Sequence, residues 1–69
     1  MERNYSKIIY ELRKGRAMSQ YQLAKVVGVT QKAIDFWEKG INEPKASYIV
    51  AMAKFFDVSA DYLLGIKDE

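Results

Sequence analysis

The chain contains no cysteine, no histidine, a single proline and four glycines among its 69 residues. Each shortage removes a class of chemistry. Without cysteine there is no disulfide framework, no thiol nucleophile and no Cys-held zinc or iron–sulfur cluster. Without histidine there is no imidazole base, no Ser-His-Asp triad and no ordinary catalytic zinc site. No Walker or dinucleotide glycine motif occurs, and a chain of this size is too small to enclose a sizeable pocket. An enzyme is therefore not expected, and neither is a cofactor or a metal. Long apolar runs are missing too. The stretch Tyr48–Ala53 is among the longest, far short of the ~20 residues that span a bilayer. The start, Met1-Glu2-Arg3-Asn4, lacks the basic and apolar regions of a secretory signal, so the expected location is the cytoplasm.

What is present is a folded, soluble composition: 49% apolar, 29% charged, expected to form one domain over residues 1–69. With no disulfide or metal to help, burial of apolar side chains must supply the stability. The net charge of +2 conceals an asymmetry, because residues 1–45 carry nine basic and five acidic side chains while residues 46–69 carry two and four. A basic front and an acidic back suit a polyanionic partner on one side.

The apolar spacing is helical throughout. Tyr5, Ile8, Ile9 and Leu12 follow i, i+3, i+4, i+7, with Asn4 placed as an N-cap. Ile49, Met52, Ala53 and Phe56 repeat the pattern. No sustained alternation and no Asn-Gly or Asp-Gly turn suggests a hairpin. Ser19 and Gln22 have the spacing of a capping box, and Gly28 is placed to end that helix in the left-handed conformation. Thr30 caps the next, with Gly40 as its stop. Gly28, Val29 and Thr30 thus make a three-residue turn between two short helices, which forces them to cross steeply as in a helix-turn-helix. Ser59 caps a last short helix closed by Gly65, and residues 66–69 read as a frayed tail. The expectation is all-α, five short helices at about 5–16, 20–27, 31–39, 46–56 and 60–64.

The third of these helices has two chemically different faces. At about 100° per residue, Ile34 and Trp37 form the buried stripe with Ala33 beside them. Gln31, Lys32, Asp35, Phe36 and Lys39 fall opposite. Gln can pair with adenine N6 and N7, Lys with guanine O6 and N7, Asp with cytosine N4, and Phe can pack on a thymine methyl. A Gln/Lys/Asp face alone equally describes a solvated helix. Phe36 is the discriminating residue, because a large ring turned from its own core stripe calls for a partner surface or a neighbouring helix to cover it. Among the other aromatics, Tyr5, Trp37 and Phe56 read as core, while Tyr10, Tyr21 and Tyr48 read as half-exposed. Phe55 lies off its helix's stripe.

Residues 8–65 resemble the lambda-repressor/Cro-type, or Xre-like, helix-turn-helix family. The matching string is Leu12-Arg13, Met18-Ser19-Gln20, Leu23-Ala24, Gly28-Val29-Thr30, Ile34, Trp37-Glu38 and Gly40. It continues with Pro44, Ala53, Val58-Ser59, Asp61 and Leu63-Leu64-Gly65. The resemblance implies a lambda-repressor-like DNA-binding domain of a small phage or mobile-element regulator, a repressor binding a pseudo-palindromic operator as a homodimer. It implies base reading by Gln31, Lys32, Asp35 and Phe36. Phosphate contacts fall to Gln20, Lys39, Asn42 and Lys45, to which the hydroxyl of Tyr21 is added. Arg13 and Glu38 match a structural ion pair. Phe55, Ala60, Leu63 and Ile66 form the expected dimer face. Four positions depart from the family: Asp35 where a neutral residue is usual, Phe36 for Arg or Lys, Asp57 for Gly, and Lys45 for a capping Ser or Thr. Ser47 is the substitute cap if the fourth helix starts late. With no second domain visible, control is expected to act through concentration and dimerisation. The alternative is a protein-interaction module, such as an antitoxin-like partner subunit, using the apolar face of Phe55, Ala60, Leu63 and Ile66.

Overall fold

The computed structural model describes residues 5–66. The cap expected at Asn4 and the tail residues 67–69 lie outside them. The elements are α1 Tyr5–Gly15, α2 Gln20–Val27, α3 Gln31–Glu38, α4 Ala46–Phe56 and α5 Ala60–Leu63. No strand occurs among the described residues.

Each helix contributes to one core. Tyr5 and Ile9 enter from α1, Leu23 and Ala24 from α2, Ile34 and Trp37 from α3, Ile49, Met52 and Phe56 from α4, and Leu63 from α5. Ile9, Leu23, Ile34, Met52 and Leu63 are wholly sealed from solvent, each stabilising the fold by about 1.5–3 kcal/mol relative to exposure. The inward positions of α3 and α4 are those read from the helical period, and Tyr48 lays its ring 5.7 Å from that of Trp37 across the two helices.

The α2–turn–α3 unit is built by local hydrogen bonds. Ser19 Oγ accepts from the Gln22 backbone N–H at 3.0 Å, and the Ser19 N–H donates to Gln22 Oε1 at 2.8 Å. At the other end Gly28 takes φ 89°, and the N–H groups of Gly28 and Val29 both donate to the Ala24 carbonyl. Only glycine adopts that φ without a steric penalty. Thr30 Oγ1 then accepts from the Ala33 N–H at 3.2 Å and starts α3.

Several boundaries differ from expectation. Helix α1 stops at Gly15 because the chain tightens, Arg16 N–H donating to the Arg13 carbonyl, and then turns left-handed at Ala17 with φ 55°. Helix α3 stops at Glu38, with Lys39 as its C-cap and Gly40 at φ 74° beyond. Helix α5 ends at Leu63, with Leu64 as the cap. Ser47 is not a cap: α4 already starts at Ala46, because the Lys45 carbonyl accepts the N–H groups of both Tyr48 and Ile49 at 3.0 Å. Lys45 occupies the N-cap position with no side-chain hydrogen bond. Asp57 adopts φ 58° and ψ 48°, a left-handed conformation that aspartate tolerates better than most residues.

The expected dimer face is also revised. Leu63 is wholly buried and closes the core, because the single turn of α5 points it inward. Phe55 is half-buried: it meets Phe56 edge-on at 5.0 Å, and the Arg16 guanidinium lies 5.0 Å above its ring. Ala60 packs against the core. Ile66 alone of the four is open, at 70% exposure.

Candidate nucleic-acid interface

The outward face of α3 carries Gln31 and Lys32, both exposed, with Asp35 and Phe36 half-buried beside them. The Lys32 ammonium sits 5.7 Å from the centre of the Phe36 ring. This i, i+4 contact explains how the ring is tolerated away from the core, since a cation over an aromatic face is attracted by its quadrupole. Lys25 makes the same contact with Tyr21 on α2, at 5.5 Å, and Tyr21 is 57% exposed.

Behind this face runs a chain of polar contacts that fixes α3. Arg13 Nε donates to Glu38 Oε2 at 2.6 Å and Arg13 Nη2 to Glu38 Oε1 at 2.9 Å. Both side chains are over nine-tenths buried. The remaining guanidinium nitrogen, Nη1, donates to the Met18 carbonyl at 2.8 Å, tying the α1–α2 turn to the same group. The hydrogen bond to Glu38 holds the Arg13 pKa above its ordinary value, against the opposing effect of burial. One arginine thus joins α1, the turn and α3.

Gln20, the first residue of α2, extends the chain outward. Its amide nitrogen donates to Glu38 Oε1 at 3.0 Å and to Asp35 Oδ1 at 3.3 Å. The second oxygen of Asp35 lies 3.0 Å from the Lys39 ammonium. Hydrogen bonding from Lys39, and then from Gln20, lowers the Asp35 pKa below the ordinary aspartate value. The carboxylate read as a base contact is therefore already engaged by two donors. The Asp35–Lys39 spacing of four was legible as a helical ion pair; the Gln20 contact, from another helix, carried no local signal.

The loop after α3 is anchored from α1, where the Tyr5 hydroxyl donates to the Asn42 carbonyl at 3.2 Å. Asn42 and Lys45 then line an open groove of about 490 Å³ with Thr30, Ala33 and Tyr48. The structure brings these two loop residues beside the start of α3, whereas Lys39 stands at its far end. No helix among the described residues is long and apolar enough to cross a membrane.

A helix held across a three-residue turn, with a polar face outward, defines a helix-turn-helix domain. A helix-turn-helix family model (HTH_3) matches residues 9–63. The chain belongs to this family, in its lambda-repressor (Xre) branch. It is 31% identical over 65 residues to the HTH-type transcriptional regulator YobD of Bacillus subtilis, covering 94% of this chain and 58% of that one. It is 40% identical over 52 residues to repressor protein C2 of Salmonella phage P22, covering 75% of this chain and 24% of C2. The chain thus spans little more than half of YobD and a quarter of C2. The crystal structure of the P22 c2 repressor in complex with a synthetic operator superposes with a TM-score of 0.85 at 35% identity, covering 91% of this chain and 96% of that one.

Proposed function

We propose that the chain is a sequence-specific double-stranded DNA-binding transcriptional regulator, a repressor that inserts α3 into the major groove. The observation that carries this reading is the outward face of α3, which offers Gln31, Lys32 and Phe36 while Arg13, Glu38 and Gln20 hold the helix from behind. The likeness to a repressor solved with its operator supports it. Gln31, Lys32 and Phe36 set sequence preference, and Tyr21, Asn42, Lys45, Gln20 and Lys39 meet the phosphates. Two copies occupy a pseudo-palindrome with their third helices about 34 Å apart. The site of action is the cytoplasm, and no catalytic step belongs to this reading. The alternative interaction module loses much of its footing, because Leu63 is core and Phe55 lies beneath Arg16.

The test is a gel-shift titration of the chain against a duplex recovered from a random pool and against a scrambled duplex. A preference for the recovered duplex, reduced when Gln31 is replaced by Ala, supports the reading. Equal binding to both duplexes, unaltered by that replacement, contradicts it.

A further inference from the structure

Gln20 opens α2 and Lys39 caps the end of α3, yet their donors converge on the two oxygens of one anion. Gln20 supplies an amide N–H to Asp35 Oδ1 and Lys39 its ammonium to Asp35 Oδ2. An amide nitrogen has two hydrogens, and the second goes to Glu38. With both carboxylates within hydrogen-bond distance of its Nε2, Gln20 has its donors engaged inside the protein, and its amide oxygen, an acceptor, cannot bind an external anion. Lys39 is in the same position electrostatically, although its side chain is 62% exposed. Two donors converging on two anionic oxygens also describe how a protein holds a phosphate.

We propose that Asp35 is an internal stand-in for DNA phosphate and thereby a specificity-determining residue. In the unbound chain its carboxylate occupies Gln20 and Lys39, and binding exchanges both donors onto the backbone of the duplex. The exchange rests on the α3 docking proposed above. It leaves the carboxylate on the groove face with neither partner, among phosphates of its own sign. At a matching sequence a base amino group, cytosine N4 or adenine N6, donates to it. At any other sequence it stays unpaired and opposes binding. Asp35 thus selects chiefly by penalising wrong sites. This accounts for an acidic side chain on a face that otherwise attracts DNA. The side chain is 32% exposed, so the exchange requires no unfolding of α3.

The experiment is fluorescence anisotropy with the full chain, on the pool-selected duplex and on a scrambled duplex, across a series of salt concentrations. Asp35→Asn keeps the shape and removes the charge. It is expected to tighten scrambled-duplex binding about tenfold and to steepen its salt slope by about one, so that the preference for the selected duplex shrinks. Asp35→Ser, a smaller neutral residue, is expected to shift binding the same way. Lys39→Gln is expected to cost more affinity in the Asp35→Asn background than in the wild type, because there Lys39 is no longer detained. Far-UV circular dichroism of each variant checks that the helices are kept. A variant that weakens both duplexes equally with an unchanged salt slope makes Asp35 a merely structural brace and overturns the proposal. So does unchanged scrambled-duplex binding. Failure of the docking itself is read separately, as a wild-type chain without preference between the two duplexes, and that result removes the proposal as well.

Discussion

Arg13 and Glu38 form a two-bonded ion pair, 2.6 and 2.9 Å long, that joins α1 to α3 with both side chains nearly closed to solvent. Charges held this far from water are expensive when alone. The pair fixes α3 at its C-terminal end, Gln20 carries the connection to the outward face, and the α3 docking depends on that fixture.

Replacing Glu38 by Ala strands the Arg13 guanidinium and removes a partner of Gln20. The expected loss is about 3–5 kcal/mol, a large share of a small domain's stability of about 5–15 kcal/mol. Replacing both residues by Met is expected to cost less than Glu38→Ala alone, since no buried charge is orphaned. Urea unfolding measures both. A double variant no more stable than Glu38→Ala contradicts the account of a desolvated pair.

Two backbone positions give opposite signs. Asp57 sits in the left-handed region at φ 58°, and Asp57→Gly is expected to raise stability by about 1 kcal/mol. Gly28 lies at φ 89° with open space where a Cβ would go, so Gly28→Ala costs about 1–2 kcal/mol through backbone strain alone. Shifts in the urea midpoint at constant slope report each.

The Asp35 contacts predict a pH dependence. Lys39 and Gln20 hold its folded pKa below the unfolded value, about 3.9 for aspartate. Its contribution is complete above that unfolded value and is lost as the pH falls through the lower folded one. The stability gap between wild type and Asp35→Asn should therefore narrow from pH 7 to pH 3. A gap that widens on acidification has the wrong sign for this carboxylate.

On DNA, Lys45 and Gln31 are expected to separate. Lys45→Ala should weaken binding to all duplexes and reduce the salt slope by about one. Gln31→Ala should relax preference at one base pair, at about 1–3 kcal/mol, with the slope unchanged. Salt-dependent titration of both variants distinguishes the roles. Identical behaviour on every duplex removes the division between gripping and reading.

The parts legible in the sequence were those set by neighbours along the chain. Ser19 with Gln22, Gly28 and Thr30 each fix a helix end within four residues, and all three act as read. The inward stripe of α3 followed from the helical period. Helix α4 still falls at the expected 46–56 without a side-chain cap, because its period of Ile49, Met52, Ala53 and Phe56 is long enough to read. Helix α5 has four residues, too few for a period to show that Leu63 faces the core. Contacts between residues distant along the chain carry no such local signal. Arg13 and Glu38 are 25 positions apart and could be paired only through the family resemblance. Asp35 and Lys39 have the i, i+4 spacing of a helical ion pair, whereas Gln20 reaches Asp35 only once α2 crosses α3.

In the proposed function, α3 reads a DNA sequence in the major groove. Selection of bound duplexes from a random pool by the purified chain tests it most directly. The expected result is enrichment of a short motif repeated in inverted orientation, its two halves centred about 10 base pairs apart, and loss of part of that motif with Gln31→Ala. A pool that emerges without a recurring motif would contradict the claim.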